Sequence, residues 1–438
     1  MAKERPEKAI FLDKIYNSIV MTRLSQLAET LTGSEIVKLG NEIKVRVGQG
    51  EKIYNYTIGD FDPNIFPIPN ELKGAIISAY EHHYTSYPPA EGILELRHAV
   101  SGFVEDLFGL HYNASEILIA AGGRPLIYAL FRTVVGPGDK VIYAVPSWNN
   151  NHYVHINGGD HCVIEASPEN NFMPTAAEIA PHLENAALLC LCSPQNPTGT
   201  THSKSSLEEI CDLVLAENKR RGDADRKLYV MFDQMYSTLT YGDTKHYNPV
   251  MLRPEMKAYT ISIDGISKAF AATGVRVGWG MGPAHVIGKM KSLLVHMGGW
   301  SPMAEQKATA SFLENKKAVH DFQVHFKAEL EKRLVLIYKG IMDMKEKGYP
   351  VDAIEPQASI YLTIKIDLKG KRSGDHVFEN QSDVSDYLLK AAHLAVVPFY
   401  AFGADKQSPW YRMSVGTCKM DEIPKMLEIL ENALGALS

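Results

Sequence analysis

Short runs of apolar residues alternate along the middle of the chain with longer stretches whose apolar positions recur at helical spacing. The runs Ile117-Leu-Ile-Ala, Lys140-Val-Ile-Tyr-Ala, Ala187 to Cys192, Lys227-Leu-Tyr-Val-Met-Phe, Tyr259-Thr-Ile-Ser-Ile and Arg276-Val-Gly-Trp-Gly-Met read as six strands. They are continuous rather than alternating, as expected of strands buried on both faces. Helical patterns lie between several of them, one from about Pro125 and the clearest from Lys204 to about Arg221. Strands that alternate with helices predict an α/β fold with a mostly parallel sheet covered on both sides. In such a sheet the polar residues just past the strand C-termini build the ligand site, which directs the search for chemistry.

The pattern changes after this region. The span from about Lys307 to Lys347 reads as long helix, Ser359-Ile-Tyr-Leu-Thr-Ile-Lys-Ile-Asp as an alternating strand, and Val384–Ala392 and Met420–Leu437 as two more helices. This makes a smaller α+β segment. Before Gly59, a helix is expected near Lys14 to Leu31 and a short strand near Lys44 to Val47. At 438 residues the chain exceeds one ordinary core, so two domains are expected.

A hydrophobic content of 45% with 22% charged residues places the chain among globular proteins. Its net charge of -6 and lack of a basic stripe argue against a nucleic-acid surface. No apolar run reaches the roughly 18–20 residues of a membrane span, and the charged start Met1-Ala-Lys-Glu-Arg lacks an apolar signal core. The expectation is therefore a cytoplasmic protein without nucleic-acid or membrane partners. Five cysteines show no metal-ligand spacing, so no metal is expected. Cys190 and Cys192 fall on one face of a buried strand and read as packing.

Four features follow strand ends. Ala121-Gly122-Gly123-Arg124-Pro125 is a glycine pair opening a helix, where free amides attract phosphate; alone it is more often a tight turn. Ser193-Pro-Gln-Asn196-Pro-Thr-Gly199 is a stiff loop presenting Asn196, or simply a structured turn. Phe232-Asp233-Gln-Met-Tyr236 puts an acid where burial demands a donor or cation, unless Asp233 caps the next segment. Ser267-Lys268, followed by Gly274-Val-Arg276-Val-Gly278, sets a lysine among small and apolar residues, a candidate amine nucleophile or else a surface lysine.

In this order, Asn-Pro-x-Gly, Asp-x-x-Tyr, Ser-Lys and Gly-x-Arg-x-Gly resemble the class I/II aminotransferases of fold type I, in the aspartate aminotransferase superfamily. Gly59 in Thr57-Ile-Gly-Asp, Tyr87 in Tyr-Pro-Pro-Ala-Glu-Gly92, and Arg412 in Trp410-Tyr-Arg-Met-Ser add to the likeness, which runs roughly from Tyr56 to Ser414. The resemblance implies a large domain over residues 70–315 built on a mostly parallel seven-stranded sheet. A smaller α+β domain would cover 316–438, with residues 1–69 forming an arm and part of that domain. It also implies pyridoxal 5'-phosphate as cofactor, an amino acid and a 2-oxo acid as substrates, and a homodimer with shared active sites.

The roles it implies are specific. Lys268 would hold the cofactor covalently and then shuttle a proton; Asp233 would pair with the pyridine nitrogen. Asn196 and Tyr236 would bond the phenolic oxygen, and Trp148 would stack on the ring. The phosphate would take the amides of Gly122, Gly123 and Arg124, together with Ser267, Arg276 and Tyr87 from a second subunit. Arg412 would clamp the substrate carboxylate, with Gly59 and Asn196 beside it.

Four departures stand out. Gly265 stands three before the lysine, where the family usually has a hydroxyl; its hydrogen bond would be missing or come from Ser267 or Arg124. Pro398-Phe-Tyr-Ala-Phe-Gly403 is bulkier than the family's stretch and would reshape the pocket near Arg412. Ala358 replaces a common glycine, and the charged Glu217 to Lys227 reads as a solvated excursion. Transamination is the main reading, with aspartate mildly favoured by Pro146-Ser-Trp148. A β-lyase on the same fold is the alternative. A non-enzymatic regulator would need an N-terminal winged helix of roughly 60–70 residues, which the segment before Gly59 does not offer.

Overall fold

The computed structural model describes residues 24–33 and 35–438. The chain divides after Gly33 into two units. In the first, Gln26–Thr30 forms a short helix whose Ser25 side chain accepts from the Ala28 amide. The rest of the helix expected from Lys14 lies outside the described residues. In the second unit, Glu35–Gly48 is a helix (α1), not the strand expected near Lys44 to Val47. Ile-Lys-Val-Arg-Val alternates like a strand, but Ile36, Leu39 and Ile43 continue at helical spacing, and Ile43 is buried.

All six expected strands form, with ends shifted by up to two residues: β1 (Ile117–Ala120), β2 (Lys140–Val145), β4 (Ala186–Cys192), β5 (Tyr229–Asp233), β6 (Thr260–Gly265) and β7 (Gly278–Met281). The seventh, β3 (Asp160–Glu165), lies at the edge beside β2, and only Ile164 in it is buried. A strand so polar carries little apolar signal in the sequence. The sheet order is β1-β7-β6-β5-β4-β2-β3, and β7 alone runs antiparallel to its neighbours. Residues alternate between two cores: Ile117 and Ile119 face one way, Leu118 and Ala120 the other.

The long helix expected over 307–347 is two, α2 (Met303–Glu314) and α3 (Lys316–Glu346). They part at Asn315, whose side chain leaves its own helix to accept from the Ala318 amide and cap the next one. A second sheet joins β8 (Val351–Ala353), β9 (Tyr361–Ile366), β10 (Val397–Pro398) and β11 (Trp410–Ser414) in the order β10-β11-β9-β8. It packs against α3 and the helix Ile423–Gly435 in one core. Tyr54–Asn55 pairs in parallel with Leu394–Ala395, and the Ser414 amide of β11 donates to Tyr56 O at 2.8 Å, which lays the segment bearing Gly59 along this second sheet. The charged stretch from Glu217 is only partly the solvated excursion expected. Glu217 and Asn218 are buried, Arg221 pairs with Glu217 at 2.8 Å, and Arg226 reaches the Val134 carbonyl at 2.8 Å.

Three glycines allow the main sheet to close behind the cavity described below. Gly265 and Gly278 are register partners on β6 and β7. A Cβ on Gly278 would lie 2.7 Å from the Gly122 carbonyl carbon, and one on Gly265 would lie 2.8 Å from Gly278 Cα and 2.9 Å from Val277 O. Backbone cannot yield there as a flexible side chain would. The absent hydroxyl at Gly265 thus has a steric cause. Restoring it as Gly265→Ser should destabilise the protein by about 1–3 kcal/mol through overpacking. Denaturant unfolding checks this; a variant as stable as the parent would show that the strands have room.

Candidate active site

Parallel strands end at one edge of the main sheet, and their C-termini deliver side chains to a single cavity of about 590 Å³. Trp148 follows β2, Cys192 ends β4 with Asn196 just beyond, Asp233 ends β5, and Lys268 sits on a single helical turn (Ile266–Ala269) after β6. Arg412 comes from β11 of the second sheet, and Gly59 from the segment laid along it.

Lys268 Nζ donates to the Gly59 carbonyl at 2.6 Å and lies 5.5 Å from the Phe61 ring centre. Its pKa is lowered to about 8, chiefly by burial and also by the positive charges of Arg412, Arg124 and Arg276, with the Asp60 carboxylate opposing them. About a tenth of the amine is therefore free at pH 7 and about half at pH 8, and the free amine is the state a nucleophile requires. Asp233 Oδ1 accepts from the Met235 amide at 3.1 Å, and burial raises its carboxyl to about 6 despite that bond. Most of it is ionised at pH 7, ready for a cationic partner.

Arg412 is almost wholly enclosed. It donates to Asn196 Oδ1 at 3.0 Å and to Thr57 O at 2.7 Å, while its Nε has no partner. Its guanidinium lies between the rings of Tyr361 and Phe402, 4.5 and 4.9 Å from their centres. Of the bulky stretch 398–403, Phe402 is thus the residue that stacks on Arg412, while Phe399 packs edge-on against Phe172. The Tyr236 and Tyr361 hydroxyls lie 2.7 Å apart, and burial holds the Tyr236 phenol well above its ordinary pKa. Tyr236 therefore stays neutral and can donate.

At the opposite end, Gly122 takes φ +86°, and Gly123 opens the helix Gly123–Val134. Arg276, itself at φ +62°, crosses over Gly122 and donates to Ala121 O and Thr273 O, each at 2.7 Å. A Cβ on Gly122 would fall 2.4 Å from the Arg276 guanidinium, so glycine is required by both its φ and the close approach. Amides at a helix start beside a guanidinium suit a phosphate.

Of the sequence-predicted residues, the cavity gathers Gly59, Gly123, Arg124, Trp148, Asn196, Asp233, Tyr236, Ser267, Lys268, Arg276 and Arg412. Gly122 underlies Arg276 at its edge. Tyr87 lies elsewhere: it is 85% exposed, edge-on to Trp300 at 5.4 Å, and lines a second hollow. Arg124 contributes more than its amide, since its guanidinium covers the Trp148 ring at 4.5 Å. Cys192 is more than packing, because it also lines the cavity.

Sequence reasoning missed Asp60, Thr273, Tyr361 and Ile36, which line the cavity too. Asp60 directly follows Gly59, and its Oδ1 accepts from Thr273 Oγ1 at 2.7 Å. Adjacency to the glycine was the one signal available for it. Ile36 on α1 carried none. Among the described residues no cluster of His, Cys, Asp or Glu has metal-ligand geometry.

The donor set fits pyridoxal phosphate: a buried amine, a carboxylate for a ring nitrogen, neutral hydroxyl donors for a phenolate, and a glycine–arginine cradle for phosphate. A family model for aminotransferase class I and II matches residues 53–430. Among relatives, an aspartate aminotransferase from Bacillus sp. (strain YM-2) is 28% identical, with 87% of this chain and 92% of the relative covered. A probable aspartate/prephenate aminotransferase from Rickettsia felis is also 28% identical, over 96% of this chain and 98% of its own. The solved aspartate aminotransferase of Rhizobium meliloti superposes with a TM-score of 0.87 at 26% identity, covering 95% of this chain and all of that one. That of Thermus thermophilus with maleate gives 0.83 at 26% identity, covering 94% and 100%. With the same ordered residues converging on one cavity, the chain belongs to the class I and II aminotransferases and is a pyridoxal-phosphate-dependent enzyme of fold type I.

Proposed function

We propose that the enzyme transfers the amino group of an L-amino acid to a 2-oxo acid, with a dicarboxylate such as aspartate as the favoured donor. The observation that carries the substrate reading is a third guanidinium in the cavity besides Arg412 and the phosphate-side Arg276: Arg124, held over the face of Trp148 at 4.5 Å. An α-carboxylate on Arg412 leaves Arg124 as a cation for a side-chain carboxylate. The relatives named for aspartate and the Thermus thermophilus enzyme with maleate, itself a dicarboxylate, support this choice.

When bound, pyridoxal phosphate supplies a carbonyl for amine exchange and an electron-accepting ring that acidifies the substrate Cα–H. The chain's residues do the rest. Arg412, its plane fixed between Tyr361 and Phe402, orients the α-carboxylate, and Asn196 holds Arg412 in place. Lys268 Nζ, with a pKa near 8, accepts the Cα proton and returns it at the other end of the transfer. Asp233 would hold a proton at the ring nitrogen, and Tyr236 would donate to the phenolic oxygen. Gly122, Gly123, Ser267 and Arg276 would grip the phosphate.

Elimination from a β-substituted substrate would use the same amine, but nothing in the cavity selects a leaving group. In a stopped-flow test, excess L-aspartate without an oxo acid should convert the cofactor's visible absorption and release oxaloacetate in a single turnover. With a cysteine S-conjugate in place of aspartate, pyruvate, ammonia and the freed thiol released over many turnovers without an oxo acid would instead favour the lyase. Arg124→Ala should raise KM for L-aspartate at least about 10-fold more than KM for L-alanine, the loss of a charge-assisted hydrogen bond. Equal effects on both would remove Arg124 from side-chain recognition.

The same reading takes residues 70–315 as the large domain, and 316–438 with part of 1–69 as the small one. It includes a cytoplasmic homodimer in which Tyr87 reaches the phosphate site of the second copy. No described helix is long and apolar enough to cross a membrane. Tyr87 is exposed to 85% and sits outside its own chain's cavity, beside Tyr80, Tyr84 and Trp300. Such an aromatic surface suits a partner of the same kind. Sedimentation of the active enzyme should give a dimer at assay concentration; fully active monomers would contradict the shared site.

A further inference from the structure

Behind the cavity lies a buried carboxylate that the transfer reaction does not use. Asp264, 2% exposed, is the next-to-last residue of β6, one before Gly265 and four before Lys268. Its Oδ1 accepts from the Gly265 amide at 2.7 Å. Its Oδ2 accepts from Gln234 Nε2 at 3.1 Å and Ser237 Oγ at 2.9 Å. A carboxylate so enclosed is costly unless its lone pairs are engaged, and here three donors engage them.

The partners matter because of where they sit. Asp233 is register partner to Ile263, and the Gln234 amide donates to Ile263 O at 3.0 Å, so Gln234 reaches β6 beside Asp264. Asp233 and Tyr236 line the cavity, whereas Gln234 and Ser237 point away from it to Asp264. The far side of Gln234 is fixed as well, its Oε1 accepting from Asn248 Nδ2 at 2.6 Å. Asn248 also donates to Ser262 Oγ on β6 at 3.0 Å. A single carboxylate therefore grips both ends of the turn carrying Asp233 and Tyr236, from the strand that leads into Lys268.

We propose that Asp264 is a positioning residue that sets Asp233 and Tyr236 against Lys268. The inference rests on the aminotransferase reading for its kinetic arm alone. Asp264→Asn keeps the shape but turns one acceptor into a donor. If its oxygen serves Gln234 and Ser237, its amide faces the N–H of Gly265, so one bond of the three must break. The groups in the cavity then shift.

Per mole of bound cofactor, Asp264→Asn should lower kcat at least about 10-fold with KM for the amino acid changed less than about 3-fold, since small misplacements cost rate before they cost binding. The visible absorption of the unreacted holoenzyme, and the pH midpoint of that spectrum, should shift from the parent's. Ser237→Ala, which removes one donor and conserves the charge, should shift both in the same direction by a smaller amount. It also serves as the test should Asp264→Asn fail to fold.

A parental spectrum and a parental kcat per bound cofactor, in Asp264→Asn or, if that fails to fold, in Ser237→Ala, would overturn the proposal, even with a lowered melting temperature, and leave Asp264 a structural residue. The spectra need no substrate. If the parent enzyme transaminated nothing, the functional reading would fail while the spectral shift still decided the role of Asp264.

Discussion

A lysine amine withdrawn from water among three guanidinium groups is the constraint around which this molecule is organised. Burial, together with Arg412, Arg124 and Arg276, disfavours the ammonium form of Lys268, while Asp60 partly restores it. The environment thereby makes the amine reactive near neutral pH, and the same cations are placed to receive anions. One end of the cavity offers Arg276 over a glycine turn, the other Arg412 between two rings, with Arg124 beside Trp148. A cofactor with a phosphate and substrates with carboxylates complete the charge balance that the chain leaves open.

Two sheets share the work of holding that arrangement. The main sheet contributes Asp233 and Lys268 from adjacent strands, and its glycines bring β6, β7 and the Gly122 turn within backbone contact. The second sheet contributes Arg412, and the Tyr54–Asn55 pairing carries Gly59 to the Lys268 amine. Asn196 spans the two, being a loop residue of the main sheet that accepts from Arg412. Displacing either sheet would disturb the cavity more than either core.

Much of this could be read from the chain. The buried strands announced themselves because they are continuous apolar runs, and the residues after their ends were the ones that proved to converge. The Lys44–Val47 segment misled because the five alternating residues Ile43–Val47 fit a strand as well as the last turns of a helix; only Ile36 and Leu39, further back and in helical register with Ile43, decide it. Asp160–Glu165 was invisible for the opposite reason, an edge strand with one buried side chain. The break at Asn315 depends on one capping bond inside an otherwise helical pattern. Local spacing could not bring Tyr361 or Ile36 to the site, since each arrives through tertiary packing, whereas the family resemblance did place the stretch with Phe402 near Arg412. Tyr87 marks the limit of a single chain, and its role belongs to the proposed dimer.

On the proposed function Lys268, and no other lysine, is the amine on which the chemistry turns. Treating the cofactor-loaded enzyme with borohydride and mapping its peptides by mass spectrometry tests it most directly. One stoichiometric, reduction-stabilised cofactor adduct is expected, on the peptide containing Lys268. An adduct on a different lysine, or none on an enzyme that remains active, would contradict it.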